Sequence, residues 1–324
     1  MKLPKTYGFL KRDLGKIEDS LHQSIQAVNP VLREASTELI KAGGKRIRPV
    51  FVLLTGKLGQ YNTEKITKIA VSLELIHMAT LVHDDVIDDA ELRRGKPTIK
   101  HLYGNRVAMY TGDYMLARAL EEITSIHDSR IHNILSNAIV EVCIGEIEQL
   151  KDKFQWDQNL RNYLRRIKRK TALLSATRCK RGAMASGLSE KEAKKLYLYG
   201  YYIGMSYQII DDILDFTSTE KQLGKPVGND LLQGNITLPV LYAMRRSPSF
   251  YKKLMDAFQE PENVSKRAME ELIEELKATN AIEYSYKLSN LYLKKALFVL
   301  NGLPNGKAKK TLEDIAKFIG KRNS

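Results

Sequence analysis

Two short acidic stretches contain the residues whose types and spacing are best suited to chemistry. Each has the pattern Asp-Asp-x-x-Asp, and the six carboxylates are Asp84, Asp85, Asp88, Asp211, Asp212 and Asp215. Carboxylates four residues apart on a helix share one face, where their like charges repel each other. Oxygen ligands suit a hard cation, and Mg²⁺ typically binds one or two carboxylates together with the phosphate oxygens of a substrate. One such stretch alone could equally be a solvated helix end, but the repeated spacing favours a Mg²⁺ site for a phosphorylated substrate.

The first acidic stretch lies at the end of a predicted helix from Thr63 to Arg94. Apolar residues recur along it at helical spacing, namely Ile66, Ile69, Leu73, Ile76 and Leu81. Asn62 is the expected N-cap, and Gly95 and Pro97 are expected to end the helix. This helix is predicted to be a rod of the core with a polar end.

The second acidic stretch ends another predicted helix, from Ser189 to Phe216. Ser189 and Glu192 have the spacing of a capping box, in which each side chain bonds to the backbone N–H of the other residue. The rest of the helix is mostly apolar. We therefore expect two buried helices whose acidic ends meet at one cavity.

The chain as a whole is predicted to be all-α, because strand patterns are poor and most segments show helical periodicity. No linker rich in Pro, Gly or Ser divides its 324 residues, so residues 1–324 are predicted to form a single-domain bundle of long helices around a central cavity. Two helices are expected within residues 13–41, joined near Asn29-Pro30, and others near 281–301 and 308–320. Residues 246–280 are charged and are expected to be variable in structure.

The net charge of +14, with 52 Lys and Arg against 38 Asp and Glu, indicates anionic partners. These partners could be nucleic acid, a membrane surface or phosphorylated small molecules. The densest basic run, residues 161–170, has no accompanying nucleic-acid motif, so we expect a solvated helix face there and no nucleic-acid partner.

The cellular location follows from three weak signals. The first residues lack the apolar region of a signal peptide, and no run of 18 apolar residues is present. Cys143 and Cys179 need no disulfide and suit a reducing compartment. The sequence therefore predicts a cytoplasmic protein.

Candidate phosphate-binding residues flank the first helix. Gly44 would let the backbone approach a phosphate closely, and Lys45 and Arg48 would supply an ammonium and a guanidinium group to bind it. The alternative is a helix C-cap with basic neighbours. The spacing is not that of a Walker loop. Arg93 and Arg94 follow the first acidic stretch, where they are expected to bind phosphate oxygens; pairing with Asp88 or Asp89 is the alternative for one of them.

These motifs together resemble the trans-polyprenyl diphosphate synthases, over roughly residues 35–245. The similarity rests on Gly44-Lys45-x-x-Arg48-Pro49, both Asp-Asp-x-x-Asp stretches, Arg93-Arg94-Gly95, Lys170-Thr171 and Gln208, which occur in the family's order. The resemblance implies the isoprenoid synthase fold, Mg²⁺ as cofactor, and isopentenyl diphosphate and an allylic diphosphate as substrates.

The resemblance also assigns roles to matching positions. The residues implied to bind isopentenyl diphosphate are Gly44, Lys45, Arg48, His77 and Arg94. The carboxylates implied to hold Mg²⁺ are Asp84, Asp88 and Asp211, supported by Asp85, Asp212 and Asp215. The residues implied to act on the allylic diphosphate are Arg93, Lys170, Thr171, Gln208 and Lys225. A lone histidine on an apolar helix is more often a core residue, and this alternative stays open for His77.

Product length is expected to depend on the positions just before the first acidic stretch. Short-chain members of the family have bulky aromatic residues there, whereas this chain has Ala79 and Thr80. The resemblance therefore implies a long all-trans product, of seven isoprene units for a menaquinone side chain. It also implies a catalytic subunit that works with a small non-catalytic partner, and transient membrane contact during product release.

Three other functions remain open from the sequence. A homodimeric synthase could make another length, from geranylgeranyl to octaprenyl. A terpene cyclase shares the metal chemistry but needs one diphosphate only, and the second basic set of Lys45, Arg48 and Arg94 argues against it. A non-catalytic regulatory homologue should have lost one acidic motif, and both are intact.

Overall fold

The computed structural model describes residues 7–41, 46–93, 95–220 and 226–321. The regular secondary structure of this part of the chain is helical apart from one pair of two-residue strands. The helices are α1 Lys11–Ser24, α2 Pro30–Lys41, α3 Ile47–Gly56, α4 Thr63–Ile87, α5 Ile99–Thr124, α6 Ser129–Asp152, α7 Leu160–Ile167, α8 Leu173–Ala185, α9 Glu190–Thr217, α10 Asn229–Leu232, α11 Leu238–Arg246, α12 Pro248–Ala257, α13 Lys266–Ala278, α14 Ala281–Val299 and α15 Lys307–Gly320. Short 3-10 turns occupy Gly8–Leu10 and Pro261–Asn263, and a π turn at Lys168–Ala172 joins α7 to α8. The all-α prediction is confirmed.

The chain divides into two compact units. The first comprises Met1–Ser136, Thr177–Tyr197 and Gly302–Ile315; the second comprises Asn137–Ala176, Leu198–Asn301 and Ala316–Ser324. The first acidic stretch belongs to the first unit and the second stretch to the second unit. The single-domain organisation stays a prediction.

Helix α4 forms the centre of the first unit, where it packs against α1, α3 and α5. Its N-cap is Asn62, as predicted, because the Asn62 side chain accepts a 2.9 Å hydrogen bond from the Lys65 N–H. Val82 on α4 joins Ala35, Ile99 and Ala108 in a buried cluster. These contacts fix the helix whose last turn bears the first acidic stretch.

Helix α4 ends at Ile87 and not at Arg94, so the predicted boundary is wrong by two turns. The Asp88 N–H caps the helix by donating to the Asp84 carbonyl at 2.8 Å, and Asp89 takes a left-handed backbone conformation with φ 52°. Aspartate tolerates that conformation because its short polar side chain can bond locally. The chain then forms strands β1 Leu92–Arg93 and β2 Lys96–Pro97, which pair antiparallel.

Within the described residues, one helix, α4, is long and apolar enough to cross a membrane by length and composition alone. However, 72% of its most apolar window is buried inside the protein. A core helix passes the same test, because burial in protein and burial in lipid both require apolar side chains.

Helix α9 begins with the predicted capping box. The Ser189 N–H donates to the Glu192 carboxylate at 2.9 Å, and the Glu192 N–H donates to the Ser189 hydroxyl at 3.3 Å. The helix runs to Thr217, one residue beyond the predicted end. The second acidic stretch thus lies in its last two turns.

The remaining second-unit helices include two where a variable segment was expected. Ser247 caps α12 by accepting from the Phe250 N–H, and Ser265 caps α13 by accepting from the Ala268 N–H. Each helix buries an apolar face, which the high charge of residues 246–280 concealed. The predicted helices near 281–301 and 308–320 are present, as is the break near Pro30 between α1 and α2.

Candidate active site

The three carboxylates of the first acidic stretch lie in different surroundings. Asp84 is half-buried in the last turn of α4, Asp85 is 2% exposed, and Asp88 is an exposed C-cap residue. Asp84 and Asp88 straddle the end of the helix, four residues apart. They are the members of the stretch that remain accessible to a cation from solvent.

Arg93 pairs with the buried Asp85. Its Nε and Nη2 atoms lie 2.8 and 2.7 Å from Asp85 Oδ1. The suggested pairing of an arginine with Asp88 or Asp89 is wrong for Arg93, and Asp89 pairs with Lys100. The Arg93 contact ties strand β1 to the end of α4 and neutralises a carboxylate that burial would otherwise penalise.

The basic candidates of the first unit lie near the start of α3. Arg48 is half-buried in its first turn, and His77 on α4 is 8% exposed. Arg46 precedes α3 with a left-handed φ of 43° and bonds to Glu18 at 2.8 Å and to Glu74 at 3.2 Å. These two ion pairs hold the backbone from which Arg48 extends.

Four predicted site residues lie outside the described residues, namely Gly44, Lys45, Arg94 and Lys225. Ala79 and Thr80 lie within them. Ala79 is 2% exposed, and the half-buried Thr80 donates its hydroxyl to the His77 carbonyl at 2.8 Å. Both positions are small and lie on α4 just before the acidic stretch, and their role in product length stays a prediction.

In the second unit, Asp212 is held by two neighbours. The Tyr163 hydroxyl donates to Asp212 Oδ2 at 2.6 Å, and Gln208 Nε2 donates to Oδ1 at 3.0 Å. Burial, and after it the charge of Asp230, raise the pKa of Asp212 to about 7, although the two hydrogen bonds and the charge of Arg166 oppose this rise. With both oxygens engaged and 2% exposure, Asp212 suits a supporting role.

Asp215 connects helix α9 to the segment that follows it. Its Oδ2 accepts a 3.1 Å hydrogen bond from the Asp230 N–H, and its carbonyl accepts one from the Gly228 N–H at 2.8 Å. Gly228 needs its left-handed φ of 74° here, and a side chain there would crowd Met269 and Ile273 on α13. Asp215 is 1% exposed, whereas Asp211 is half-buried.

Lys170 and Thr171 lie in the π turn between α7 and α8. Thr171 donates its hydroxyl to Gln208 Oε1 at 2.8 Å, and Lys170 Nζ donates to Gln149 Oε1 at 2.8 Å. Such turns insert one extra residue into a helix and are frequent at functional sites. The structure thus brings Thr171 and Gln208 into one hydrogen-bonded chain with Asp212, as their predicted common site requires.

Sequence reasoning missed Tyr163 and misjudged Arg166. The run 161–170 was predicted to be a solvated face, yet Tyr163 is 0% and Arg166 6% exposed. Arg166 Nη1 donates to Gln158 Oε1 at 2.8 Å, and Nη2 donates to the Ile236 carbonyl. The spacing of Tyr163, Arg166 and Ile167 marks one face of α7, and this periodicity was the signal available in the sequence.

No group of three or more His, Cys, Asp or Glu side chains is arranged to hold a metal ion among the described residues. The accessible donors are carboxylate oxygens in pairs or singly, which suit a hard cation that takes its other ligands from water and phosphate. The residues present therefore fit Mg²⁺ bound together with a diphosphate.

Comparisons with known proteins agree along almost the whole chain. The polyprenyl synthetase family profile matches residues 29–276. The chain is 60% identical to heptaprenyl diphosphate synthase component 2 of Bacillus subtilis (strain 168), over 99% of this chain and 91% of that protein. It is 56% identical to the Geobacillus stearothermophilus protein of the same name, over 100% of both. The crystal structure of heptaprenyl diphosphate synthase from Staphylococcus aureus matches with a TM-score of 0.92 and 45% identity, covering 97% of this chain and 99% of that one.

Proposed function

Because this chain belongs to the polyprenyl synthetase family, we propose that it condenses isopentenyl diphosphate with an allylic diphosphate to build heptaprenyl diphosphate. Its membership confirms the resemblance inferred from the motifs, and the chain is a trans-prenyltransferase with the isoprenoid synthase fold. The seven-unit product is supported by the names of the two relatives that match nearly end to end. A menaquinone side chain is the proposed destination of the product.

The chemistry requires cleavage of a carbon–oxygen bond to give an allylic carbocation and a departing diphosphate. Bound Mg²⁺ would neutralise charge on that diphosphate, and Asp84, Asp88 and Asp211 are the proposed ligands. Fixed positive side chains add to this effect, because donors that are already oriented need no reorganisation during the reaction. The proposed donors to the allylic diphosphate are Arg93, Lys170 and Lys225.

Isopentenyl diphosphate would bind through a second basic set, namely Lys45, Arg48, His77 and Arg94. Its double bond attacks the cation, and a proton is then lost. The departing diphosphate can accept this proton, so no side-chain base is proposed. Thr171 and Gln208 are polar groups joined to each other by a hydrogen bond, and we assign them to orientation of the allylic substrate.

The partner is proposed to be a small non-catalytic subunit, because both near-full-length relatives are named as component 2. A homodimer of another product length is the alternative. The proposed place of the reaction is the cytoplasm, with transient contact to a membrane surface when the long apolar product leaves.

The test is incorporation of labelled isopentenyl diphosphate by the purified chain, with Mg²⁺ or with EDTA, and with or without the small subunit. The proposal predicts Mg²⁺-dependent formation of a seven-unit product and near-inactivity of the chain alone. Full activity of the chain alone would refute the need for a small subunit, and another product length would refute the heptaprenyl assignment. A terpene cyclase would consume allylic diphosphate without incorporating label.

A further inference from the structure

Helices α3 and α8 of the first unit run side by side in close contact. A side chain at Gly182 on α8 would come within 2.5 Å of the Val52 carbonyl on α3, and one at Gly59 within 2.5 Å of the Ser186 carbonyl. The Gln60 N–H donates to that same carbonyl at 2.7 Å. The contact of residue 52 with residue 182 is thus followed by the contact of residue 59 with residue 186, so the two segments run parallel.

This register places two arginines next to each other. Arg48 lies one turn before Val52, and Arg178 lies one turn before Gly182. Burial, and after it the charge of Arg48, lower the pKa of Arg178 to about 9. At neutral pH Arg178 therefore remains charged beside another cation.

Arg178 is a buried cation with little compensation, as is Arg181 on the same helix, but of the two it is Arg178 on which the charge of Arg48 acts. It is 4% exposed, and its Nε has no hydrogen-bond partner among the residues that the structure describes. Glu74 is the carboxylate that acts on it favourably; its Oε1 is bonded to Arg46 Nη1 at 3.2 Å, and its Oε2 has no hydrogen-bond partner among the described residues. A buried charge without a full partner is costly, and an anion bound beside Arg178 and Arg48 would offset that cost.

A guanidinium group binds phosphate oxygens with two parallel N–H donors, and it does so more strongly away from water. Arg48 and His77 are the described residues already assigned to the diphosphate of isopentenyl diphosphate. We propose that Arg178 is a further binding residue for that same diphosphate, beside Arg48. The choice of isopentenyl diphosphate rests on the proposed function; the presence of a diphosphate site does not.

The experiment measures binding of inorganic pyrophosphate to the intact chain in EDTA. EDTA removes Mg²⁺, so a diphosphate site that depends on Mg²⁺ does not contribute to the measured binding. The variant Arg178→Met removes the charge and leaves an apolar side chain of similar length, which can be buried without a hydrogen-bond partner. We expect Arg178→Met to weaken pyrophosphate binding about tenfold or more and Arg178→Lys to weaken it less. If the Met variant does not fold, Arg178→Gln takes its place.

Arg181→Met is the matched control. Arg181 lies one turn further along α8, is 0% exposed and donates to the Ile131 carbonyl. Its Nε and Nη1 have no hydrogen-bond partner among the described residues, and burial lowers its pKa to about 9, so it matches Arg178 in burial and charge but is not paired with Arg48. The control should bind pyrophosphate as the wild type does. Wild-type affinity in Arg178→Met, an equal loss in Arg181→Met, or no pyrophosphate binding in the wild type would each overturn the proposal.

Turnover measurements then distinguish the two substrates. Arg178→Met should raise KM for isopentenyl diphosphate about tenfold and leave KM for the allylic diphosphate unchanged. An increase confined to the allylic substrate would overturn the assignment to isopentenyl diphosphate. Absence of any turnover in the wild type would refute the proposed function, while the pyrophosphate measurement would still decide on the anion site.

Discussion

Tyr163 donates a 2.6 Å hydrogen bond to Asp212, and neither side chain reaches solvent. Tyr163 belongs to α7 and Asp212 to α9, so this bond fixes the second acidic stretch to a neighbouring helix. Gln208 completes the arrangement by bonding to the other oxygen of Asp212. Thr171, Gln208 and Asp212, the proposed site residues of the second unit, are thus linked to one another through hydrogen bonds that end at the buried Tyr163.

Replacing Tyr163 by Phe should lower kcat and reduce stability together. The change leaves a buried carboxylate oxygen without its donor, which costs about 1–3 kcal/mol. We expect an increase in the Mg²⁺ concentration needed for half-maximal rate, because Asp211 is next to the loosened residue. Ser289→Ala is the control, since it removes another buried hydrogen bond of α9, to Ser206. An equal rise in the Mg²⁺ requirement of the control would mean that Tyr163 acts on stability alone.

Arg93 and Asp85 should behave as a coupled pair. Arg93→Ala leaves a buried carboxylate, and because the Arg93 side chain is about one-third exposed we expect a loss of about 1–3 kcal/mol in unfolding free energy. In the double variant with Asp85→Ala, the second change should cost much less than it does alone. Denaturant unfolding of the four proteins measures this coupling. Additive effects would show that the pair is not formed in solution.

Ala79→Phe should shorten the product. Ala79 is buried on α4 just before the first acidic stretch, and an aromatic ring there would occupy space expected for the growing chain. Chromatography of the labelled products gives the length directly. Ala79→Ser, a change of small volume, should keep the wild-type product. An unchanged length distribution in Ala79→Phe would refute the assignment of this position to the product tunnel.

The two cysteines should differ sharply in reactivity. Burial raises the pKa of Cys179 to about 12, so the thiolate is nearly absent at any pH where the protein is studied, whereas Cys143 is exposed. A thiol reagent at about pH 8 should modify one thiol per native chain and both after unfolding. Cys143→Ser should abolish the native reaction. Rapid modification of Cys179 in the folded protein would contradict the burial of α8.

The sequence predicted the helices that carry the two acidic stretches because helices depend on local pattern; the role of the acidic residues stays a prediction. Apolar spacing and the Ser189–Glu192 capping box are sufficient to locate α9, and Asn62 is sufficient to locate the start of α4. The end of α4 was missed because it depends on Asp89, whose left-handed conformation has no strong local signal.

The supporting contacts could not be predicted because they join residues distant in the chain. Tyr163 and Asp212 are 49 positions apart, and their bond depends on how α7 packs beside α9. Arg166 looked like one of many surface cations, yet it is buried by Gln158 and the Ile236 carbonyl. The pairing of Arg93 with Asp85 required the hairpin that follows α4, which the pattern of the chain did not indicate.

The central claim is that both acidic stretches act on one departing diphosphate through bound Mg²⁺. The most direct measurement compares label incorporation by the reconstituted enzyme with that of Asp84→Asn and Asp211→Asn, each checked for binding of isopentenyl diphosphate in EDTA. Loss of stabilisation for a developing charge typically lowers kcat about 10²–10³-fold, and we expect a loss of at least that size in both variants with binding retained. A near wild-type rate in either variant would contradict the account.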